Sequence, residues 1–359
     1  RGKGEGRRGG GGQGLGRMQM KEGLAGGIVL VNGIEELSIG TTLADIDQPE
    51  ALPVMAVDEP TLTMTFQVNT SPFAGQEGKF VTSRQLRERL EKELLTNVAM
   101  RMEEMNETDS FLISGRGELH LTILLENMRR EGYELAVSRP NVVIREIDGV
   151  KCEPFELLTV DIDEAHQGGI MEALGERRGD LQDMVSDAKG RVRLDYRIPA
   201  RGLIGFQSDF MTMTRGTGLM SHVFDEFAPM RSEIPQRKNG VLISSEHGEA
   251  VAYALWKLQE RGRMFVNPGD RLYEGMVIGI HTRDNDLVVN PIKGKQLTNI
   301  RASGTDEAVV LTPPIQLTLE SAIEFITDDE LVEITPKTIR IRKRYLLEHE
   351  RKKASRAAA

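Results

Sequence analysis

The chain has 359 residues, with 46 lysines and arginines against 55 aspartates and glutamates, and a formal net charge of −9. This acidic balance excludes a generic nucleic-acid coat, so RNA-binding patches must be sought segment by segment. The only cysteine, Cys152, excludes an intrachain disulfide and a cysteine-based zinc or iron–sulfur site, and it fits a reducing cytoplasm. No apolar run approaches the roughly 20 residues of a membrane span, so no membrane partner is expected.

The first 58 residues divide into two segments. Residues 1–17 are rich in glycine and contain a formal G-x-G-x-x-G with no preceding strand, a pattern that glycine tracts produce easily. Such a composition cannot bury a core, and it predicts a disordered segment, with an Arg/Gly RNA-binding tail as the alternative. Residues 18–58 are predicted to form short strands broken by turns, as part of a β-barrel that lacks its first strands.

Residues 59–148 and 149–231 each predict the order β-α-β-β-α-β, which is typical of a ferredoxin-like domain. In the first segment the predicted elements span 62–69, 82–97, 99–104, 110–114, 118–131 and 134–145. In the second they span 156–163, 168–178, 181–185, 191–196, 203–213 and 219–227. The expected fold class is therefore α+β and multidomain, although such domains serve many unrelated functions.

Residues 232–359 form a third region of mixed helices and strands. The predicted elements are helices over 249–260 and 319–326 and strands over 276–281, 309–311, 331–334 and 339–341. Charge is uneven here, because residues 320–333 carry six acids and no base, whereas 337–356 carry nine lysines and arginines and two glutamates. The basic character of the chain is thus concentrated near its C-terminal end.

Catalytic motifs are mostly absent from the sequence. There is no G-x-x-x-x-G-K-[ST] to hold a nucleotide triphosphate, no G-x-S-x-G, and no histidine pair with metal-ligand spacing. The carboxylates of Asp161 and Asp163 share a strand face, and His120 begins a helix, so a small-molecule or metal enzyme remains an alternative. The favoured prediction is a chain without catalysis, cofactor or metal of its own.

Two groups of cations predict contacts with phosphate. Lys293, Lys295 and Arg301 lie among Gly, Asn, Thr and Ser in a predicted loop, a composition that suits RNA backbone or a mobile surface loop. Arg340, Arg342 and Arg344 alternate along a predicted strand, with Lys343 on the opposite face. That alternation predicts either a phosphate-binding stripe or a solvated face.

Ordered motifs over about residues 18–356 resemble the TypA/BipA family of translational GTPases. They include Asn69-Thr-Ser-Pro-Phe73, Ser114-Gly-Arg-Gly-Glu-Leu-His120, Arg201-Gly-Leu-Ile-Gly-Phe206, Gly294-Lys-Gln-Leu-Thr-Asn299 and Arg301-Ala-Ser-Gly-Thr-Asp306. The resemblance implies domain III and domain V of an elongation-factor-G type over 59–148 and 149–231, and a family-specific C-terminal domain over 232–359. The GTPase domain of the family, with its GTP and Mg²⁺ site, has no counterpart in this chain, which is therefore expected not to hydrolyse GTP.

The resemblance also implies partners. It indicates a cytoplasmic monomer that occupies the ribosomal A-site region, contacts ribosomal RNA and the tRNA acceptor end, and acts in stress adaptation and large-subunit assembly. The long C-terminal loop of the family corresponds to about 290–307, so we expect contacts from Lys293, Lys295, Asn299 and Arg301. Contacts near the ribosomal stalk are assigned to Arg177, Arg178 and Arg201. A protein-binding adaptor that does not touch RNA is the alternative.

Overall fold

The structure, a computed structural model, describes residues 8–13, 16–20, 22–32, 39–53, 60–105, 109–187, 189–234, 237–294 and 310–358. The chain divides into two compact units, one of residues 1–57 with 95–98 and one of residues 58–94 with 99–359. Both contain sheet, and helices occur only in the second over the described residues. The α+β class predicted from the sequence is confirmed.

The first unit contains a three-stranded antiparallel sheet. Its strands are β1 (Arg8–Gln13), β2 (Gly16–Met20) and β3 (Val29–Asn32), in the order β2-β1-β3. The described strands of this unit do not close into a barrel. The prediction of disorder over 1–17 is wrong for β1 and the start of β2, because a glycine still supplies the N–H and C=O groups that a sheet ladder needs.

The second unit begins with the predicted ferredoxin-like order. Its elements are β4 (Leu62–Val68), α1 (Ser83–Leu94), β5 (Arg101–Glu104), β6 (Ser110–Gly115), α2 (Glu118–Glu131) and β7 (Leu135–Val137). The strand order β7-β4-β6-β5 places the first and third strands of the motif, β4 and β6, in the middle, with β7 and β5 on either side of them. The long strand predicted over 134–145 is instead β7 followed by β8 (Asn141–Val142) and β9 (Arg145–Ile147), because Pro140 lacks an N–H for the ladder.

The next ferredoxin-like segment has a sheet of its own. Its elements are β10 (Val150–Asp163), α3 (Gln167–Glu176), β11 (Asp180–Ser186), β12 (Arg191–Pro199), α4 (Ala200–Leu203), α5 (Phe206–Met213) and β13 (Leu219–Pro229). The order β11-β12-β10-β13 again fits the predicted topology, and β9 pairs with β10. The single helix predicted over 203–213 is divided between α4 and α5, because Gly205 adopts φ of 70°, which ends a right-handed helix.

The C-terminal segment extends the first ferredoxin-like sheet. Its elements are β14 (Val241–Ser244), β15 (Gly248–Glu249), α6 (Ala252–Leu258), β16 (Gly262–Met264), β17 (Arg271–Leu272), β18 (Met276–His281), β19 (Leu287–Val289), α7 (Leu319–Phe325), β20 (Glu330–Ile334), β21 (Ile339–Lys343) and α8 (Glu348–Ala358). Strand β20 pairs with β7, which gives an 11-stranded sheet whose main path is β19-β14-β18-β21-β20-β7-β4-β6-β5. One apolar core continues across the joint, including Phe66, Val137 and Val332.

Three features of this segment can be compared with the sequence analysis. The predicted strand over 309–311 is not formed at 310–311, and Pro313 and Pro314 follow directly. Helix α8 was not predicted, since its mostly polar residues show no apolar periodicity and its first turn relies on a Glu348–Lys352 ion pair of 2.6 Å. Helix α7 is confirmed, with Thr318 and Ser321 forming a capping box.

Candidate nucleic-acid interface

The predicted loop cations are only partly described by the structure. Lys293 is exposed and follows β19, whereas Lys295, Asn299 and Arg301 lie outside the described residues. The chain leading to Lys293 is fixed by main-chain hydrogen bonds, because the Val251 N–H donates to the Pro291 carbonyl over 3.0 Å. The main chain just before Lys293 is therefore held against the residue that precedes α6.

Arg340 does not lie on an exposed stripe. Its Nη1 contacts Oε1 of Glu333 at 2.7 Å and its Nη2 contacts Oε1 of Glu77 at 2.5 Å, and only 11% of its side chain is exposed. Burial by itself raises the pKa of Glu77, but hydrogen bonds from Thr335 and Thr338 and the charge of Arg340 lower it below its usual value. Arg340 thus joins two acids of distant segments, and the stripe prediction is wrong for it.

Lys343 is also committed within the chain. Its Nζ lies 2.6 Å from Asp286, 2.8 Å from Asp329 and 3.0 Å from Glu330, and its side chain is 2% exposed. Burial lowers its pKa, yet these three carboxylates raise it above the ordinary lysine value. The prediction that Lys343 contacts phosphate or solvent is wrong, because its face of β21 is covered.

Arg342 of β21 and Arg344, which follows the strand, differ in exposure. Arg342 is buried at 2% exposure, so it is not part of a solvated stripe either, whereas Arg344 lies just past the strand and is exposed. The reason lies in the sheet order, since β21 is an interior strand between β18 and β20. Alternation correctly placed the arginines on one face but carried no information on what covers that face.

The opposite charge blocks seen in the sequence are the two strands of one hairpin. In the β20–β21 register Glu330 lies opposite Lys343 and Glu333 lies opposite Arg340. Opposite charges at facing positions of an antiparallel pair stabilise the pair. The acidic block followed after a short turn by a basic block was the available signal for this arrangement.

Glu333 is the centre of a buried polar network that joins β7 and β20, here called the sheet joint. Its carboxylate accepts hydrogen bonds from Asn69 Nδ2 at 3.0 Å, Ser71 Oγ at 2.9 Å and the Tyr273 hydroxyl at 2.7 Å, besides the Arg340 contact. Burial and the Glu333 charge raise the pKa of Tyr273 well above its ordinary value. The Asn69-Thr-Ser-Pro-Phe73 motif is therefore used to hold two segments of the fold together.

The predicted cations of the 150–238 segment are likewise used within the chain. Arg177 contacts Asp209 at 2.8 Å and donates to the Gly202 carbonyl at 2.9 Å. Arg201 pairs with the buried Glu153 and donates to the carbonyls of Arg231 and Ser232, both at 2.8 Å. Arg178 Nη2 donates to the Glu233 carbonyl at 3.1 Å. Their predicted ribosome contacts stay predictions.

The enzyme alternative gains nothing from the geometry. Arg191 of β12 contacts both aspartates of β10 that could have formed a metal or catalytic site. Its Nε lies 2.7 Å from Asp161 Oδ1 and its Nη1 lies 3.3 Å from Asp163 Oδ1. Burial lowers the pKa of His120, whose Nδ1 accepts the Arg116 N–H at 3.4 Å. Across the described ranges no three histidine, cysteine or carboxylate side chains are grouped as metal ligands.

Among the described residues no helix is long and apolar enough to cross a membrane.

A second group of carboxyls, not anticipated from the sequence, lies where three segments meet, and is here called the carboxyl joint. Glu118 of α2 and Glu324 of α7 lie near the start of α5, where the Ser208 hydroxyl donates a hydrogen bond to Glu324. Burial first, and then the Glu324 charge, raise the pKa of Glu118 to about 7. Within the described residues Oε1 of Glu118 is buried without a hydrogen-bond partner.

Three family models match successive segments of the chain. A family model described as elongation factor G domain III matches residues 80–139, one described as elongation factor G C-terminus matches 150–238, and one described as TypA/BipA C-terminal domain matches 239–348. The chain is 61% identical over 345 residues to a protein of Escherichia coli strain K12 named large ribosomal subunit assembly factor BipA. The chain belongs to the TypA/BipA family.

Other members of the TypA/BipA family give similar values. The proteins of the same name from Salmonella typhimurium and Buchnera aphidicola are 60% and 55% identical over 344 residues. Each alignment covers 96% of this chain and 57% of the relative, so the chain spans little more than half the length of the curated relatives that it matches. The family resemblance drawn from the sequence motifs is confirmed.

Proposed function

We propose that this chain is the ribosome-docking part of a translational factor that acts in assembly of the large subunit and in stress adaptation. The observation that carries the proposal is its 61% identity to a relative named a large ribosomal subunit assembly factor. Its mechanism is recognition, in which rigid segments present separated contacts to ribosomal RNA and to the tRNA acceptor end. Such a role places the chain in the cytoplasm.

The sheet joint supports this docking role physically. The segment matched to elongation factor G domain III and the segment matched to the TypA/BipA C-terminal domain share one sheet, through the β7–β20 pair. A shared sheet and core hold Lys293, which follows β19 of that sheet, in a fixed position relative to α1 and α2, so these segments need no mutual ordering when they engage RNA. The acidic remainder of the chain limits nonspecific binding.

The RNA contacts are assigned to five residues. Lys293 and Arg344 are exposed, and Lys295, Asn299 and Arg301 belong to the loop sequence that follows Lys293 and lie outside the described residues. Arg340 and Lys343 are withdrawn from the proposal, because removing either from its carboxylates would leave buried charge without a partner.

Nucleotide chemistry is proposed only for the whole protein. The family relation supports GTP hydrolysis with Mg²⁺ in a GTPase domain that is not among these 359 residues, which contain no P-loop motif. Docking of this chain would then position that domain on the ribosome. No residue of the chain is assigned to GTP or Mg²⁺.

Co-sedimentation with 70S ribosomes and with separated subunits over a series of salt concentrations tests the docking proposal. Saturable pelleting should weaken as salt rises, because bound cations release counterions from RNA phosphates. Changing Lys293, Lys295 and Arg301 together to alanine should weaken binding by roughly tenfold or more at moderate salt and should reduce the salt slope by up to about three.

A matched control carries Arg84, Lys92 and Lys189 changed to alanine, which removes the same charge from exposed positions elsewhere. It should bind like the parent chain. Equal weakening in both triple variants would mean that only net charge matters and would contradict an assigned loop. Salt-insensitive pelleting would favour the protein-binding adaptor instead.

A further inference from the structure

An open cavity of about 380 Å³ lies where β21 ends and α8 begins, and of its lining the function proposed above uses only Arg344. We call it the Arg342 cavity. Its polar lining residues are Thr70, His247, Glu274, Arg342, Arg344 and Glu350, and Tyr345 adds an aromatic ring. It thus combines two arginines and a histidine with two carboxylates.

Arg342 is the unusual member of this lining. Its side chain is buried, its Nη2 donates to Thr70 Oγ1 at 3.0 Å, and its Nε has no hydrogen-bond partner among the described residues. Burial lowers its pKa, and the charges of Tyr273 and Glu333 only partly oppose that effect. A buried guanidinium donor without a partner is unfavourable, and a bound anion would relieve it.

The sheet register explains why no carboxylate pairs with Arg342. Its cross-strand neighbours are Leu331 on β20 and Met276 on β18, whereas the flanking cations Arg340 and Lys343 face Glu333 and Glu330. Among the described cations of β21, Arg342 alone has no carboxylate within ion-pair distance. The partner of its charge is therefore to be sought in the cavity that it lines.

The surroundings favour an anion that also carries hydroxyl groups. Arg344 is exposed at the same cavity, and α8 begins at Glu348 directly after the lining residues, so the positive end of its dipole lies on this side. Glu274 accepts the Glu348 N–H at 3.4 Å, and the exposed Glu350 remains available to accept hydrogen bonds. A carboxylate beside a phosphate site is a common partner of ribose hydroxyls.

We infer that the Arg342 cavity binds the phosphate group of a ribonucleotide, with Arg342 and Arg344 as its charged donors. The shared chemistry is a phosphate on a ribose, and it can come from a free nucleotide or from an RNA strand. The inference concerns the chain alone and stands whether or not the chain docks on ribosomes.

The test is calorimetric titration of the chain with three probes at constant ionic strength set by chloride. The probes are inorganic phosphate, adenosine 5′-monophosphate, and a short single-stranded RNA without a terminal phosphate. We expect binding of one equivalent that sulfate displaces. Tight binding of the first two probes identifies a free nucleotide as the source, and preference for the third identifies an RNA strand.

Three variants connect the binding to the cavity. Arg344→Ala removes an exposed donor and should weaken binding by about tenfold or more, since charge-assisted hydrogen bonds are the strong ones. Arg342→Gln should abolish binding, and its folding is checked by circular dichroism. Arg263→Ala removes an exposed arginine of β16 outside the cavity lining and should bind within about twofold of the parent.

Should Arg342→Gln fail to fold, the parent chain, Arg344→Ala and Arg263→Ala still decide the matter. No heat of binding with any probe above that of chloride would overturn the inference. Equal binding by the parent and Arg344→Ala, or equal loss in Arg344→Ala and Arg263→Ala, would overturn it as well.

Discussion

The two joints of the second unit join segments by different physics. In the sheet joint, strands β7 and β20 pair, and Glu333 is satisfied by Arg340, Asn69, Ser71 and Tyr273. In the carboxyl joint no strands pair, burial raises the pKa values of both Glu118 and Glu324, and Glu324 accepts a hydrogen bond from Ser208 of α5. The sheet joint is thus fixed by buried charge pairs and hydrogen bonds, whereas Glu118 of the carboxyl joint changes its charge near neutral pH.

The strongest test of the sheet joint is Glu333→Ala. The change leaves Asn69, Ser71 and Tyr273 with unsatisfied donors and leaves Arg340 with only Glu77, so the free energy of unfolding should fall by about 3–5 kcal/mol. Urea denaturation followed by circular dichroism and by the single Trp256 measures the loss.

The control for that experiment is Glu226→Ala, which removes an exposed partner of Arg197. It should change the free energy of unfolding by no more than about 0.5 kcal/mol. A loss below about 1 kcal/mol for Glu333→Ala would mean that the β7–β20 pair and the apolar core hold the joint without the network.

The carboxyl joint predicts a pH dependence with a definite sign. The pKa of Glu118 is about 7 in the folded chain against 4.5 ordinarily, so the folded state binds more protons than the unfolded state between these values. The stabilisation from this group is complete below about pH 4.5 and is lost as the pH rises through 7. Glu118→Gln should therefore raise the unfolding free energy at pH 8 by roughly 1–3 kcal/mol relative to the parent.

The measurement is the difference between Glu118→Gln and the parent in denaturation curves from pH 4 to 9. The parent curve is subtracted because other groups also make stability depend on pH. A hydrogen bond with Glu156 raises the pKa of His222, and the stability from that pair is lost as the pH rises through the raised value. By contrast, Asp329 and Glu330 have lowered pKa values in the folded chain and lose their contribution only in acid. A constant difference across the whole range would contradict the role given to Glu118.

The smallest expected effect concerns the main chain at the carboxyl joint. Gly205 adopts φ of 70°, and an added Cβ would lie 3.4 Å from the Glu324 carbonyl oxygen. Gly205→Ala should lower the unfolding free energy by about 1 kcal/mol, through backbone strain. Gly175→Ala, inside α3 and with nothing within 4 Å of the added Cβ, is the control and should not lower the unfolding free energy; equal losses would argue against strain at Gly205.

Local sequence pattern predicted most elements of the second unit. The apolar spacing of Leu86 and Leu90 placed α1, and the alternation over 62–68 placed β4. Pattern failed where the main chain overrides it, as at Gly205, which divides a helix, and where charge replaces apolar periodicity, as in α8. The break at Gly205 depends on a single residue, and α8 depends on charged side chains in solvent. The apolar periodicity of a sequence window reveals neither.

Prediction of the interface from sequence was weaker for a different reason. Strand alternation located Arg340 and Arg342 on one face, but Arg342 is buried and only 11% of the Arg340 side chain is exposed. Whether an arginine is free for RNA depends on which acids reach it, and Glu77 lies 263 residues from Arg340 along the chain. Local sequence carries no record of such a contact.

By itself the sequence determined the family, the α+β class and the order of the elements, since these depend on motifs and on residue periodicity within short windows. Only the tertiary structure decided which charges are available. It joined β7 to β20, paired Lys343 with three carboxylates, and left Arg342 beside a cavity with no ion-paired carboxylate among the described residues. The physical reason is that ion pairing and burial are set by contacts between residues far apart in the chain, where a charge is satisfied by a neighbour in space.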